Sequence, residues 1–144
     1  MEARVSLVTL GVTDLARARA FYERLGWHGQ EAEETVFFQG PGHAIVLWSR
    51  AKLADDGALD DGGVDAFGGV ALAHNVASRE EVDRIVADVI DAGGEVTKPP
   101  AETFYGGYAA YFRDPDGHVW EVAHNPGFTL HADGTLTLPD FDAS

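Results

Sequence analysis

The residue best placed to do chemistry in this chain is Glu121. It lies inside the run Tyr111-Phe112-Arg113-Asp114-Pro115-Asp116-Gly117-His118-Val119-Trp120-Glu121-Val122, which reads as strand, tight turn, strand. A carboxylate among apolar strand residues is costly unless it is paired or hydrogen-bonded, and burial raises its pKa. Such a group can anchor the cation or N–H of a bound molecule, or accept a proton from it. The anchor role is the better fit, because no second chemical group stands beside it. The plain structural alternative is a carboxylate satisfied by a tyrosine hydroxyl or water. An earlier run, Phe37-Phe38-Gln39-Gly40-Pro41-Gly42-His43-Ala44-Ile45-Val46-Leu47-Trp48, has the same form. Aligning His43 with His118 pairs Val46 with Glu121. The fold reads as duplicated and the chemistry does not.

The elements that must position this carboxylate follow from periodicity. Residues 5–12 form an apolar strand, and Asp14 caps a helix carrying Leu15, Ala18, Phe21, Tyr22 and Leu25 at helical spacing, with Gly26 as its stop. Strands are expected at 27–30, 35–39 and 43–48, with a Gly-Pro-Gly turn between the last two. Residues 50–65, rich in Gly and Asp, read as a connection. The second half repeats the order. It has a strand at 69–76, a helix opened by the Ser78/Glu81 capping box with Val82, Ile85, Val86, Val89 and Ile90 as its apolar stripe, and a stop at Gly93-Gly94. Strands follow at 95–98, 104–112 and 118–125, with a break at Pro99-Pro100. The fold class is therefore α+β: two βαβββ modules forming a cupped eight-stranded mixed sheet. Residues 1–126 are expected as a single domain, with module one at 4–50, a linker at 51–67 and module two at 68–126. Residues 127–144 form a tail, read as a hairpin about a two-residue turn at Asp133-Gly134.

Composition narrows the partners. The chain has 144 residues, 45% of them hydrophobic, enough for a packed interior. With no cysteine, disulfides, thiolate metal sites and cysteine nucleophiles are excluded. Acidic residues outnumber basic ones 24 to 10, for a formal charge of -14. That charge repels nucleic acid and anionic membranes and attracts cationic small molecules, although solubility alone is the simpler reason for it. No apolar run reaches the roughly 18 to 20 residues of a membrane span, and the amino terminus does not read as a secretory leader. A cytoplasmic location is the expectation.

The opening Val12-Thr13-Asp14-Leu15 followed by Phe21-Tyr22, the paired modules and the closing Asp-Pro-Asp-Gly-His-Val-Trp-Glu run resemble the vicinal oxygen chelate superfamily. That superfamily holds glyoxalase I, extradiol dioxygenases, fosfomycin resistance enzymes and bleomycin-binding proteins. The resemblance spans about residues 4 to 125. It implies metal ligands at four equivalent strand positions, which fall here at Leu7, Val46, Ala71 (Val70 if shifted by one) and Glu121. Three of these are hydrocarbons, whereas a catalytic divalent ion needs about three protein ligands and an open position. His43 and His118 follow turn glycines, His74 and His124 are out of register with the four positions, and His131 lies in the tail. No metal, cofactor or catalytic residue is expected.

Strand alternation places Val119, Ala123 and Asn125 on the face of Glu121. Thr9, Asn75, Phe37, Trp48, Tyr105 and Tyr111 share that inward face, with small residues such as Gly11, Ala73, Gly107 and Ala109 between them. Phe38, Phe112, Trp120 and Val122 turn toward the helices. Small residues leave volume and aromatics offer flat walls, a composition suited to a pocket for an organic molecule, though each aromatic alone is equally a core residue. The expected ligand-binding set is Glu121, Trp48, Phe37, Tyr105, Tyr111, Thr9 and Asn75. The expected function is metal-free binding of an aromatic or cationic organic ligand, similar to the bleomycin-resistance branch, whose members imply a homodimer. The competing expectation is a metal-dependent lyase, isomerase or dioxygenase using His74 or His124 unconventionally.

Overall fold

A computed structural model of the chain describes residues 1, 3–62, 67, 68 and 70–141. Residues 63–66 of the expected linker, Gly69 at the expected start of a strand, and residues 142–144 of the tail lie outside the described residues.

The first module runs β1 (Leu7–Val12), α1 (Leu15–Arg24), β2 (Gly29–Ala32), β3 (Thr35–Gly40) and β4 (His43–Ser49). After α2 (Arg50–Asp56), the second runs β5 (Ala71–Asn75), α3 (Arg79–Asp91), β6 (Glu95–Glu102), β7 (Tyr108–Arg113) and β8 (Val119–His124). Each βαβββ module makes one four-stranded mixed sheet, ordered β1-β4-β3-β2 and β5-β8-β7-β6. In each, the first strand is parallel to the last and the remaining pairs are antiparallel. The identical strand orders are the structural form of the sequence duplication.

Capping sets both long helices where the sequence places them. Asp14 accepts from the Arg17 amide at 3.0 Å, and Ser78 accepts from the Glu81 amide at 3.2 Å. The Glu81 carboxylate reaches back to the Ala77 amide at 2.8 Å, one residue before the cap. These contacts satisfy first-turn amides that have no partner within the helix.

One hydrophobic core serves both modules. Phe21 and Tyr22 of α1, Val82 and Val89 of α3, and Leu47, Phe112, Trp120 and Val122 of the sheets belong to the same buried cluster. Burying such a side chain stabilises by about 1.5–3 kcal/mol.

Four local expectations are corrected. Arg50–Asp56 is a helix, not part of an irregular connection; Ser49 caps it by accepting from the Lys52 amide at 3.3 Å. Gly11 lets α2 lie close to β1, since a Cβ there would stand 3.0 Å from the Arg50 Cα. Pro99-Pro100 does not break β6, which continues to Glu102 with register shifts between Val96 and Ala101. β6 is the edge of its sheet, where proline's missing N–H costs no ladder bond. β7 starts at Tyr108, not Phe104, and residues 104–106 form the turn instead. In the tail, β9 (Thr129–Leu130) and β10 (Leu136–Thr137) pair as a hairpin. His131 and Thr135 bond across its loop and Gly134 has φ +86°, so three residues make the turn rather than two.

Candidate functional site

β7 and β8 bring Tyr111 and Glu121 directly opposite each other. The Tyr111 hydroxyl donates a short hydrogen bond to Glu121 Oε2. Opposed residues of an antiparallel pair lie close enough for their side chains to interact. Both are half-buried, and neither belongs to the core cluster that Phe112, Trp120 and Val122 enter. The bond to Glu121, with desolvation and the charge of Glu121 adding to it, pushes the Tyr111 phenol up to about 12. This is the tyrosine hydroxyl of the plain structural alternative, and it corrects the expectation that no second chemical group stands beside Glu121.

Beside Tyr111 is a cavity of about 210 Å³, lined by Lys98, Thr103, Phe104, Tyr105, Ala109 and Tyr111 among others. Its outer wall is the β6–β7 turn. Phe104 at the tip is fully exposed and contacts Tyr105 edge to face, with ring centroids 5.1 Å apart. The turn is fixed from below. Gly107 donates to Thr103 Oγ1 at 2.8 Å, and a Cβ on Gly107 would fall 2.6 Å from Asn125 Oδ1. Asn125 donates to Asn75 Oδ1 at 2.9 Å, while its own Oδ1 is buried without a partner.

The expected ligand-binding residues fall into three groups. Tyr111 and Glu121 of the second sheet, with Tyr105 on the adjoining β6–β7 turn, make one corner. Asn75 and Asn125 close the adjacent end of β5 and β8. Thr9, Phe37 and Trp48 belong to the first sheet, where Thr9 and Phe37 flank Val46 and Trp48 stands beside Gly11. Thr9 lines a different cavity, of about 460 Å³, together with Gly11, His118 and residues of α2. The helix α2, expected as part of a connection, covers part of the face of the first sheet that carries Thr9 and Gly11.

The Asp114–His118 turn acts as a clamp between the modules. Asp114 is 4% exposed; its Oδ2 accepts from the Tyr22 hydroxyl at 2.6 Å and its Oδ1 from the Asp116 and His118 amides. Burial raises the Asp114 pKa, with these hydrogen bonds opposing. Burial and the neighbouring carboxylate raise the Tyr22 pKa as well. Trp120 Nε1 donates to the Tyr22 oxygen at 3.1 Å. Asp116 Oδ1 accepts from the Thr13 amide, the Thr13 hydroxyl and Arg17, and His118 Nε2 donates to the Gly11 carbonyl at 2.8 Å. The sequence run around Asp114 is thus structural up to His118, and only Glu121 is left for a ligand.

Metal-ligating chemistry does not fit these residues. Leu7, Val46 and Ala71 offer no donor atom. Among the described residues, no group of three or more His, Asp or Glu side chains is placed to hold an ion. His74 and His124 are on the helix side of their strands. His124 bonds the Val76 carbonyl, and His74 lines a groove with Trp27. Among the described residues, no helix is long and apolar enough to cross a membrane.

The comparisons agree with the architecture. The family model described as Glyoxalase/Bleomycin resistance protein/Dioxygenase superfamily matches residues 4–122. A crystal structure of a glyoxalase-related enzyme from Fulvimarina pelagi is similar, at 34% identity and a TM-score of 0.89, covering 96% of this chain and 100% of that one. A hypothetical protein from S. aureus follows at 26% identity and a TM-score of 0.76, with 87% and 95% covered. A lactoylglutathione lyase from Agrobacterium tumefaciens shares the fold at 21% identity and a TM-score of 0.63, with 86% and 95% covered. No curated protein matches the chain.

Proposed function

The chain belongs to the glyoxalase/bleomycin resistance protein/dioxygenase superfamily, and we propose that within it this protein binds a small aromatic or cationic organic molecule without a metal. The observation that carries this reading is that Tyr111, whose hydroxyl bonds Glu121, lines a cavity together with Phe104 and Tyr105, with hydrocarbons at the three other positions equivalent to Glu121. A carboxylate offers about four lone-pair sites, so Glu121 keeps acceptor capacity beyond the bond from Tyr111. A ligand ammonium or N–H meets that capacity, while Tyr105 and Phe104 supply flat apolar faces. The formal charge of -14 favours the approach of a cation. Glu121 acts as an anchor in this reading, with no covalent step assigned to it.

A homodimer in the cytoplasm belongs to the same proposal. The exposed apolar side chains Leu7, Phe37 and Phe104 are what a second copy would cover, and light scattering tests it.

A second reading, a metal-dependent lyase, isomerase or dioxygenase, draws on the 34% likeness to a glyoxalase-related enzyme. Metal analysis of protein purified without chelator, with thermal shifts against divalent ions, separates the two. Near-stoichiometric metal that is lost in Glu121→Ala supports the enzyme.

A further inference from the structure

β6 is irregular where it faces Tyr111. Val96 pairs with Phe112 and packs against the core, and regular alternation would turn residue 98 the same way. Instead Lys98 pairs with Tyr111, the residue next to Phe112, so one extra residue of β6 is taken up between Val96 and Lys98. A second register shift follows between Lys98 and Ala101. A bulge of this kind re-aims a side chain. Here it turns Lys98 to the face of Tyr111, and Lys98 lines the same cavity as Tyr105 and Tyr111. Pro99 restricts the backbone of the residue before it to extended conformations, which helps to hold Lys98 in place.

Lys98 also has no partner of its own. Arg17, Arg19, Arg50, Lys52, Arg79 and Arg84 each pair with a carboxylate. Among the described residues, the side chains of Lys98 and Arg113 have neither an ion pair nor a hydrogen bond. Arg113 lies two residues along β7 from Tyr111 and so on the same face, with Glu95 opposite it. In a chain of formal charge -14, both of these cations stand around the Tyr111–Glu121 pair. Glu102, the carboxylate at the rim of the cavity, is held by Arg79 at 3.0 Å.

We propose that the ligand of the Glu121 corner is an aromatic zwitterion, a ring with a basic nitrogen that Glu121 anchors and, at its other end, an acid group that Lys98 meets. This rests on the reading of Glu121 as a ligand anchor and adds the ligand's second charge. A guest with positive charge alone is opposed by the Lys98 ammonium, which lowers its affinity without abolishing it. A guest with negative charge alone is opposed by Glu121 and by the charge of the whole chain. A molecule that carries both charges satisfies both groups. Glu121 and Lys98 are two strands apart, on β8 and β6, with Tyr111 of β7 between them. Two strand spacings make about 10 Å, which suits charges at opposite ends of a ring. Tyr105 and Phe104 give that ring its apolar faces.

The test is calorimetric titration of the full chain with 4-(aminomethyl)benzoate, a zwitterion at neutral pH, beside its single-charge analogues 4-methylbenzylamine and 4-methylbenzoate. Wild type should bind the zwitterion about two- to fivefold tighter than the amine, the scale of one exposed ion pair, and the benzoate most weakly. Lys98→Met should bring the zwitterion down to the affinity of the amine, and Lys98→Glu should place the amine first. Lys98 is an exposed residue of an edge strand, so neither substitution disturbs the core. Glu121→Gln should weaken the zwitterion and the amine alike. Equal affinity for zwitterion and amine in wild type, or a zwitterion preference that survives Lys98→Glu, overturns the proposal. The Glu121 reading then stands if Glu121→Gln still weakens the amine. No saturable binding of zwitterion or amine, or a preference for 4-methylbenzoate that Glu121→Gln leaves unchanged, overturns both.

Discussion

Tyr22 on α1 donates its hydroxyl hydrogen to the buried carboxylate of Asp114, 92 residues away on the β7–β8 turn, at 2.6 Å. This bond joins a helix of one module to a turn of the other, and Trp120 completes it by donating to the same hydroxyl oxygen. Tyr22→Phe removes the hydroxyl and leaves both the Asp114 oxygen and the Trp120 N–H buried without it. The expected cost is about 2–4 kcal/mol of folding stability, since each orphaned polar group costs about 1–3 kcal/mol. Urea denaturation measures it, and a loss below about 0.5 kcal/mol would show the clamp to be ornamental.

The same carboxylate gives a pH dependence with a defined sign. Burial raises the native pKa of Asp114 above its unfolded value, so the native state holds this proton more tightly. Its contribution is fully present below the ordinary aspartate pKa and is lost as pH rises through the native pKa. Wild type should therefore lose stability relative to Asp114→Asn as pH climbs from about 4 upward. Denaturation midpoints of both proteins across that range check the trend.

Tyr111 should titrate unusually high. Its phenol is pushed to about 12, chiefly by the hydrogen bond to Glu121. The stability this pair contributes is present below the ordinary tyrosine value of about 10 and is lost as pH rises from there through the native value. In Glu121→Gln the Tyr111 transition should move back toward about 10. Tyrosinate absorbance during alkaline titration reads it directly, and an unmoved transition contradicts the pairing.

The β2–β3 turn is strained. Glu33 and Glu34 both occupy the left-handed region, at φ 50° and 60°, and Ala32 pairs with Thr35 around them. Two-residue turns of this kind favour an Asn-Gly dipeptide, and a left-handed residue with a side chain costs about 1–2 kcal/mol. The double substitution Glu33→Asn with Glu34→Gly should therefore stabilise the protein by about 1 kcal/mol. The exposed Glu34–Lys52 ion pair that is lost contributes little against that. Thermal denaturation decides it.

The sequence made the repeated module legible because each helix carries a side-chain cap and each strand a clean alternation. Asp14 and Ser78 cap at the positions their spacing marks, and Phe38, Phe112, Trp120 and Val122 turn into the core. The β2–β3 turn and α2 were harder. Glu33-Glu34 lacks the glycine or asparagine that marks such a turn, and the aspartates and glycines after Ser49 resemble a loop more than a helix. Pro99-Pro100 misled because an edge strand tolerates what a central strand does not. At the site, alternation put Tyr111 and Glu121 on one face but did not give their pairing. That depends on the length of the Asp114–His118 turn, which sets the β7–β8 register. The division of Thr9, Phe37 and Trp48 from that corner followed from the two-sheet arrangement, which no local pattern encodes.

The central claim is that Glu121, partnered by Tyr111, holds an organic ligand and not an ion. Its most direct test is calorimetric titration of chelator-treated protein with a panel of cationic and polycyclic aromatic compounds, in wild type and in Glu121→Gln. Saturable binding without added metal, weakened about tenfold in the variant, is the predicted result. Binding that appears only after a divalent ion is restored, or that is unchanged in Glu121→Gln, would contradict it.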